Sequence, residues 1–461
     1  MMQMQELPAS PEFADRLRSL TDTGSSLAQD SDKAADLVAH SISRLEIVQG
    51  YAGVFLVAFL LTLLATPIMR RLATAHGVID RPSEARKVHR VPVAYLGGAA
   101  VFLGLLGGIL FSYAADKVHG LIDFHPTQHL LYGFLRHPVP PSVLLGMTVI
   151  MLTGLIDDVV GVSPRVKLGG QLVAAAALAI DDVGVKLAAG VVIPVFRWFG
   201  ANTTIVNDAP TIVFHIPLPF ELFGHGAIPF DVVYWCGTAL IGILVLSFCN
   251  ASNLIDGLDG LLTGTTAISS AGLLIIALGL ALVDDGPRDA QRIVLCLALL
   301  GACMGFLPHN FNPASIFLGD AGSLLMGFMV CVIILTLGDT GQTPLVAAGL
   351  IVYAVPIIDT SLAIVRRKLE RKSISAADDQ HLHHMLKRAL GVKGAVLMLY
   401  AMAGSFAALG IAVTFFRGRV AYLLALVLAS YIGVTAIKIA RRRHVEEQAL
   451  KNEGMRPIGG K

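Results

Sequence analysis

The chain has 461 residues, of which 55% are hydrophobic and only 15% charged, against roughly 25% charged in a soluble domain. That excludes an ordinary soluble enzyme and fits a polytopic membrane protein, in which each helix needs roughly 20 mostly apolar residues to cross. A net charge of +2 leaves no basic surplus for nucleic acid, and the five cysteines lack C-x-x-C spacing, so they read as small core residues rather than a disulfide or metal framework.

In chain order, residues 1–46 are polar and carry no basic start followed by an apolar core, so they do not read as a cleavable signal peptide. They form an extension, either a short surface helix or a disordered arm. Apolar runs near 48–69, 95–114, 142–156, 168–182, 231–249, 261–282, 292–308, 321–338, 344–364, 394–416 and 420–438 predict a bundle of about eleven transmembrane helices. The fold class is therefore all-α integral membrane, with a membrane domain over 47–440 and a basic tail over 441–461. The run 168–182 is the shortest, and "VGVKLAAGVVIPVF" after it reads as a re-entrant or outer-surface segment.

Roughly two thirds of the 35 Lys and Arg fall on loops one, three, five, seven and nine and on the C-terminal tail. The positive-inside rule makes that side cytoplasmic, with the N-terminus out and the C-terminus in. The odd loops also hold every polar, motif-like stretch. Alternate loops of a serpentine chain share one face, so these five stretches are expected to meet in a cytoplasmic cleft.

Loop one reads "DRPSEARKVHRVPVAYLGG" (80–98). Its arginines serve as a positive-inside anchor. Lys87 and His89 stand out because Gly97-Gly98 follows, a pair that lets backbone or ligand approach closely. Loop three reads "GLIDDVVGVSPRVKLGGQ" (154–171). Asp157 and Asp158 repel one another there unless a cation lies between them or one stays protonated, and they oppose the helix dipole. Either they are a solvated helix end or a divalent cation, with a basic partner such as Lys167, relieves them.

Loop five reads "NASNLIDGLDG" (250–260). If helical, Asn253, Asp256 and Gly260 share a face, with Asp259 beside them. Oxygen ligands without Cys or His favour Mg²⁺ or Mn²⁺ over Zn²⁺. The plainer reading is a helix end and turn made by D-G-L-D-G. Loop seven reads "PHNFNPASIFLGDAGS" (308–323). Asp320 stands at a helix start, as a cap or as a metal-binding carboxylate with Phe317 offering a stacking face. Loop nine, "RRKLERKSISAADDQHLHHMLKR" (366–388), sets His381, His383 and His384 among Arg366 and Arg367. It suits phosphate oxygens better than zinc, unless it merely faces anionic membrane lipid.

An acidic, metal-type centre with a basic rim fits phosphoryl transfer. A transporter would place its polar groups near mid-membrane, whereas here the acids cluster at helix ends.

These five stretches, in this order over about 48–440, resemble the polyprenyl-phosphate N-acetylhexosamine-1-phosphate transferases. "HLHH" is similar to the branch that uses UDP-GlcNAc or a related UDP-sugar, while the phospho-MurNAc-pentapeptide branch usually carries three consecutive histidines. The resemblance implies a commonly homodimeric bundle of ten or eleven helices in the bacterial cytoplasmic (inner) membrane. It implies that undecaprenyl phosphate attacks the β-phosphorus of a UDP-sugar, giving polyprenyl-diphospho-GlcNAc and UMP with Mg²⁺, at the start of a cell-envelope polysaccharide. Asp157 and Asp158 would form the acidic centre, one of them as base. Asp320, helped by Asn253, would bind Mg²⁺. Asp256, Gly257, Leu258, Asp259, Asn310 and Phe317 would line the uridine pocket, with Lys87 near the nucleotide. His381, His383 and His384 would contact the diphosphate or the sugar. The family's last motif has an Arg where this chain has Asp379, which bears on sugar identity.

Overall fold

The computed structural model describes residues 44–80, 92–115, 117–118, 137–200, 202–206, 209–222, 225–283, 288–338, 342–369 and 381–416, with Leu426 and Ser430. Two compact units are distinguished, Met1–Gly50 and Tyr51–Lys461, and the candidate site lies in the second. The extension 1–46 (apart from 44–46), the span 420–438 (apart from those two residues) and the tail 441–461 lie outside the described residues.

The second unit is helical. Its elements are α1 (Arg44–His76, of which Tyr51–His76 belongs here), α2 (Gly97–Ala115), α3 (Pro141–Val160), α4 (Pro164–Ile180), α5 (Ala189–Trp198) and α6 (Val232–Ile255). They continue as α7 (Leu261–Val283), α8 (Asp289–Asn310), α9 (Gly319–Leu337), α10 (Thr343–Val352), α11 (Ala354–Leu369) and α12 (Leu382–Phe415). By length and composition, eight of these can cross a membrane (α1, α2, α3, α6, α7, α8, α9 and α12), and the bent pair α10–α11 makes a ninth if it is one span. The chain is an all-α, multi-pass membrane protein.

Burial follows from where apolar residues find protein rather than lipid. On α1, Leu56, Leu60, Leu64 and Ile68 recur every fourth residue and stay exposed, a stripe suited to acyl chains. The opposite stripe of Val54, Ala58, Thr62 and Thr66 is buried. Helix α9 is apolar on every side and buried along almost its whole length, as expected of a helix at the centre of a bundle. It packs on α3, α6 and α2, so its N-terminus at Gly319 meets the ends of all three.

Two glycines make one of these meetings possible. A Cβ on Gly98 would overlap the backbone of Gly322, and Gly98 N donates to Leu318 O at 2.8 Å. The close approach expected of Gly97-Gly98 is thus realised against Leu318 and the first turn of α9. Gly98→Ala is expected to cost about 1–3 kcal/mol by overpacking. Gly404→Ala, where an added Cβ meets nothing within 4 Å, should be neutral or stabilising. Thermal unfolding of the two variants in detergent checks this.

Three two-stranded antiparallel sheets are seen among the described residues. In the first, β1 (Ile79–Asp80) pairs with β2 (Val93–Ala94), Ile79 opposite Ala94, and Ala94 bridges in parallel to Ile316. This stitches both ends of loop one to loop seven. The others, β3 (Thr204–Val206) with β4 (Ala209–Thr211) and β5 (Val213–Leu222) with β6 (His225–Asp231), occupy the long loop before α6.

Some predicted elements are redrawn. The run expected at 168–182 is α4, which begins earlier because Pro164 is pre-set for a first helical turn. The run 344–364 is not one straight span, since α10 and α11 meet at 82°. Pro356 lacks the amide proton that would bond to Val352 O and its ring crowds that carbonyl, so the helix breaks between them. Helix α12 starts before the predicted 394 and turns at Gly391, whose φ is +73°.

Candidate active site

The ends of α6, α8 and α9 and the loops beside them enclose a cleft of about 340 Å³. Its lining takes Asp80 and Tyr95 from loop one, Asn253 to Asp259 (without Leu254 and Ile255) from loop five, Asn310 and Phe317 to Asp320 from loop seven, and His384 from loop nine. Loop three closes one end through its contacts to Asp320. All five odd loops therefore meet at this cleft.

Adjacent aspartates at the end of α3 point to different partners. Asp158 Oδ1 accepts from Asp320 N at 2.7 Å and its Oδ2 from Ala321 N at 3.0 Å, so the carboxylate caps α9 from a neighbouring helix. An anion there meets both the free amides and the positive end of the helix dipole. Gly319 permits this approach, because its φ is +71° and a Cβ on it would stand 2.5 Å from Asp158 Oδ2. Asp157 instead accepts from Val162 N at 2.9 Å through Oδ1 and pairs through Oδ2 with Lys167 Nζ at 2.6 Å. Lys167 Nζ also lies 2.5 Å from Asp320 Oδ2. Burial pulls the Lys167 ammonium down, and the hydrogen bonds to Asp157 and Asp320 outweigh it, so its pKa is raised. Asn253 Nδ2 donates to Asp320 Oδ1 at 2.9 Å and to Ser323 Oγ at 3.0 Å.

Loop five corrects the expectation of one helical face. Helix α6 ends at Ile255, and Asp256 to Gly260 form a turn, with Gly260 at φ +76°. The run both ends the helix and faces the cleft. Asp259 Oδ2 accepts from Asn312 Nδ2 at 2.9 Å and Ala314 N at 3.0 Å, and so holds loop seven in place. Asn310 is buried, accepts from Thr263 Oγ1 at 2.9 Å and donates to Ile316 O at 3.1 Å, so its amide shapes the wall. Phe317 stands edge-on to Tyr95 with ring centroids 5.9 Å apart. Burial, with Asp80 and Asp158 close by, keeps the Tyr95 phenol well above its usual range, which leaves its hydroxyl a donor.

In loop nine, His381 and His383 are buried and His384 reaches the cleft. Arg366 and Arg367 are buried on α11, away from the cleft lining. Lys87, His89, Asp378 and Asp379 lie outside the described residues.

Sequence reasoning missed Asp80, Tyr95, Tyr400 and Asp359. Tyr400 donates to Gly260 O at 2.5 Å, which ties α12 to loop five. Asp359 lay inside the predicted span 344–364, where a lone acid among apolar residues is itself a functional signal.

The acidic centre suits a hard divalent cation. Its donors are carboxylate oxygens of Asp157 and Asp320 with the Asn253 amide beside them, and the Lys167 ammonium already sits as a cation between the two carboxylates. All-oxygen sets of this kind favour Mg²⁺-type ions.

Residues 140–338 match the family described as glycosyl transferase family 4. The chain is 33% identical over 408 residues to the decaprenyl-phosphate N-acetylglucosaminephosphotransferase of Mycolicibacterium smegmatis, covering 85% of this chain and 89% of that protein. The enzyme of that name from Mycobacterium tuberculosis is 32% identical over 409 residues, with the same coverage. The undecaprenyl-phosphate alpha-N-acetylglucosaminyl 1-phosphate transferase of Escherichia coli K12 is 26% identical over 413 residues, 87% of this chain and 95% of that one.

Proposed function

Since the chain belongs to glycosyl transferase family 4, we propose that it transfers GlcNAc-1-phosphate from UDP-GlcNAc to a polyprenyl phosphate such as undecaprenyl phosphate, releasing UMP. A lipid phosphate oxygen bonds to the β-phosphorus, and the bond from that phosphorus to the oxygen bridging to the α-phosphate breaks. The observation that carries this reading is the Asp157–Lys167–Asp320 array beside the cleft that Asp320 lines, in a chain whose relatives are named for this transfer. The excess of Lys and Arg on the odd loops supports a cytoplasmic cleft, N-terminus out and C-terminus in, in the bacterial inner membrane.

Mg²⁺ held among Asp157, Asp320 and Asn253 would neutralise charge on the diphosphate during transfer. The protein supplies positioning and a dry wall. Lys167 keeps a positive charge beside the reacting phosphates. Tyr95 and Phe317 offer an aromatic corner for the base. Asp158 is engaged by two backbone amides, whereas Asp157 turns its carboxylate to Lys167 beside Asp320. A phosphate monoester with a second pKa of about 6 is mostly a dianion at neutral pH, so it has little proton for Asp157 to remove, and Asp157 acts through the cations it holds, Lys167 and the metal.

Purified protein with sugar-labelled UDP-GlcNAc, MgCl₂ and undecaprenyl phosphate should yield a lipid-extractable label and one UMP per label. Absence of product with every UDP-HexNAc tried would overturn the reading.

Asp256 gives a pH dependence. Burial of its carboxyl, with Asp320, Asp158 and Asp259 nearby, pushes it up to about 8. In the cation-free protein it is therefore mostly protonated at pH 7 and can donate to the nucleotide, and a divalent cation at Asp320 would lower that pKa. Above its pKa it ionises and repels the diphosphate. The kcat/KM for the UDP-sugar, which reports the free enzyme, should fall about tenfold per unit above that pH. Asp256→Asn, which cannot ionise, should remove the alkaline limb.

A further inference from the structure

Asp359 is a buried acid that the proposed chemistry leaves unused. It sits on α11 and is 1% exposed. Its Oδ1 accepts from Leu382 N at 2.7 Å. Its Oδ2 lies 3.2 Å from His381 Nδ1 and 3.1 Å from His383 Nδ1. One carboxylate thus gathers the start of α12 and two imidazoles. A carboxylate on one ring nitrogen fixes the tautomer and orientation of the ring and leaves the other nitrogen for a ligand.

For His383 that other nitrogen faces the cleft wall. A Cβ on Gly257 would stand 2.6 Å from His383 Nε2. Gly257 lines the cleft between Asp256 and Leu258. Its backbone φ is not in the left-handed region, so the glycine is explained by space for the imidazole rather than by turn geometry. The His384 ring, 4.2 Å from that of His383 between centroids, lines the same cleft.

We propose that Asp359 is a positioning residue, which holds His383 so that Nε2 meets the diphosphate of the nucleotide sugar, and that residue 257 is glycine to admit that ring. The inference rests on the proposed uridine-diphosphate donor.

The test uses the full chain in detergent with MgCl₂ and measures calorimetric affinities for UDP and for uridine, which has no phosphate. Asp359→Asn should weaken UDP about 10- to 100-fold, the scale of losing one hydrogen bond to a charged group, and leave uridine within about twofold. His383→Gln should do the same. The double variant should bind UDP no more weakly than His383→Gln alone, because Asp359 acts through that ring. Gly257→Ala, at an exposed position, should weaken UDP in the wild-type background and cost nothing further in His383→Gln, where the ring it crowds is gone, and it decides the matter if Asp359→Asn does not fold. Wild-type UDP affinity in Asp359→Asn or in Gly257→Ala, equal losses of UDP and uridine, or losses that multiply in either double variant would each overturn the positioning role. A wild-type protein that binds UDP yet makes no lipid-linked sugar sinks the transferase reading alone, since the binding cycle still judges Asp359. One that does not bind UDP sinks both.

Discussion

Asp320→Asn is expected to lower turnover by about 10³-fold, the scale of losing a group that stabilises charge in a transition state, while the protein stays folded. Asp320 is the hub of the acidic centre. Its Oδ2 faces Lys167 Nζ at 2.5 Å and its Oδ1 accepts from Asn253 Nδ2 at 2.9 Å. An asparagine has the same shape but one acceptor and no charge, so it cannot serve both donors. Lys167 keeps Asp157 as a partner, and the charge that a divalent cation needs is halved. The backbone amide of residue 320 still reaches Asp158, so the cap on α9 survives and the unfolding temperature should change little. Label transfer to the lipid fraction and thermal unfolding of the same sample check both halves. Turnover within a few-fold of wild type would remove Asp320 from the chemistry.

The meeting of the five loops was legible because carboxylates and histidines at the ends of apolar runs stand out, and because a serpentine chain of eleven spans, with 168–182 counted as one, would set the odd loops on one face. The kind of centre was legible as well, from oxygen donors without cysteine. The division of labour between Asp157 and Asp158 was half legible. Neighbours on a helix point about 100° apart, so they could not share one partner, but nothing local says which of them meets α9. The break at Tyr353 could have been read from Pro356, yet the surrounding run is apolar enough to look like one span, and Asp359 was lost inside it. The hairpin of β5 and β6 was hidden for a different reason. Its Phe214–Phe230 and Ile216–Ile228 pairs become one apolar face only once the strands are in register, and register is a long-range property.

Asp158 and Asp157 should separate in stability even if both are needed for turnover. Asp158 supplies two acceptors to the first turn of α9, a helix buried along almost its whole length. Asp158→Ala leaves those two amides without acceptors, which costs about 1–3 kcal/mol for each unsatisfied buried donor. Asp158→Asn keeps one acceptor and turns an amide NH₂ toward the other donor, so it should be intermediate. Turnover should fall at least about 100-fold in Asp158→Ala, because the residue-320 backbone that presents the neighbouring carboxylate is held by this contact. Asp157 bonds to Val162 in its own loop and to Lys167, with the Asp320 carboxyl beside it. Its replacement by Asn should cost under about 1 kcal/mol, as partly exposed ion pairs do, while still depriving Lys167 of a partner. Thermal unfolding of the three variants, alongside label transfer, tests the division. Equal unfolding temperatures for Asp158→Ala and Asp157→Asn would show that α9 does not depend on the carboxylate of Asp158, and the acidic pair would then have to be treated as one functional unit.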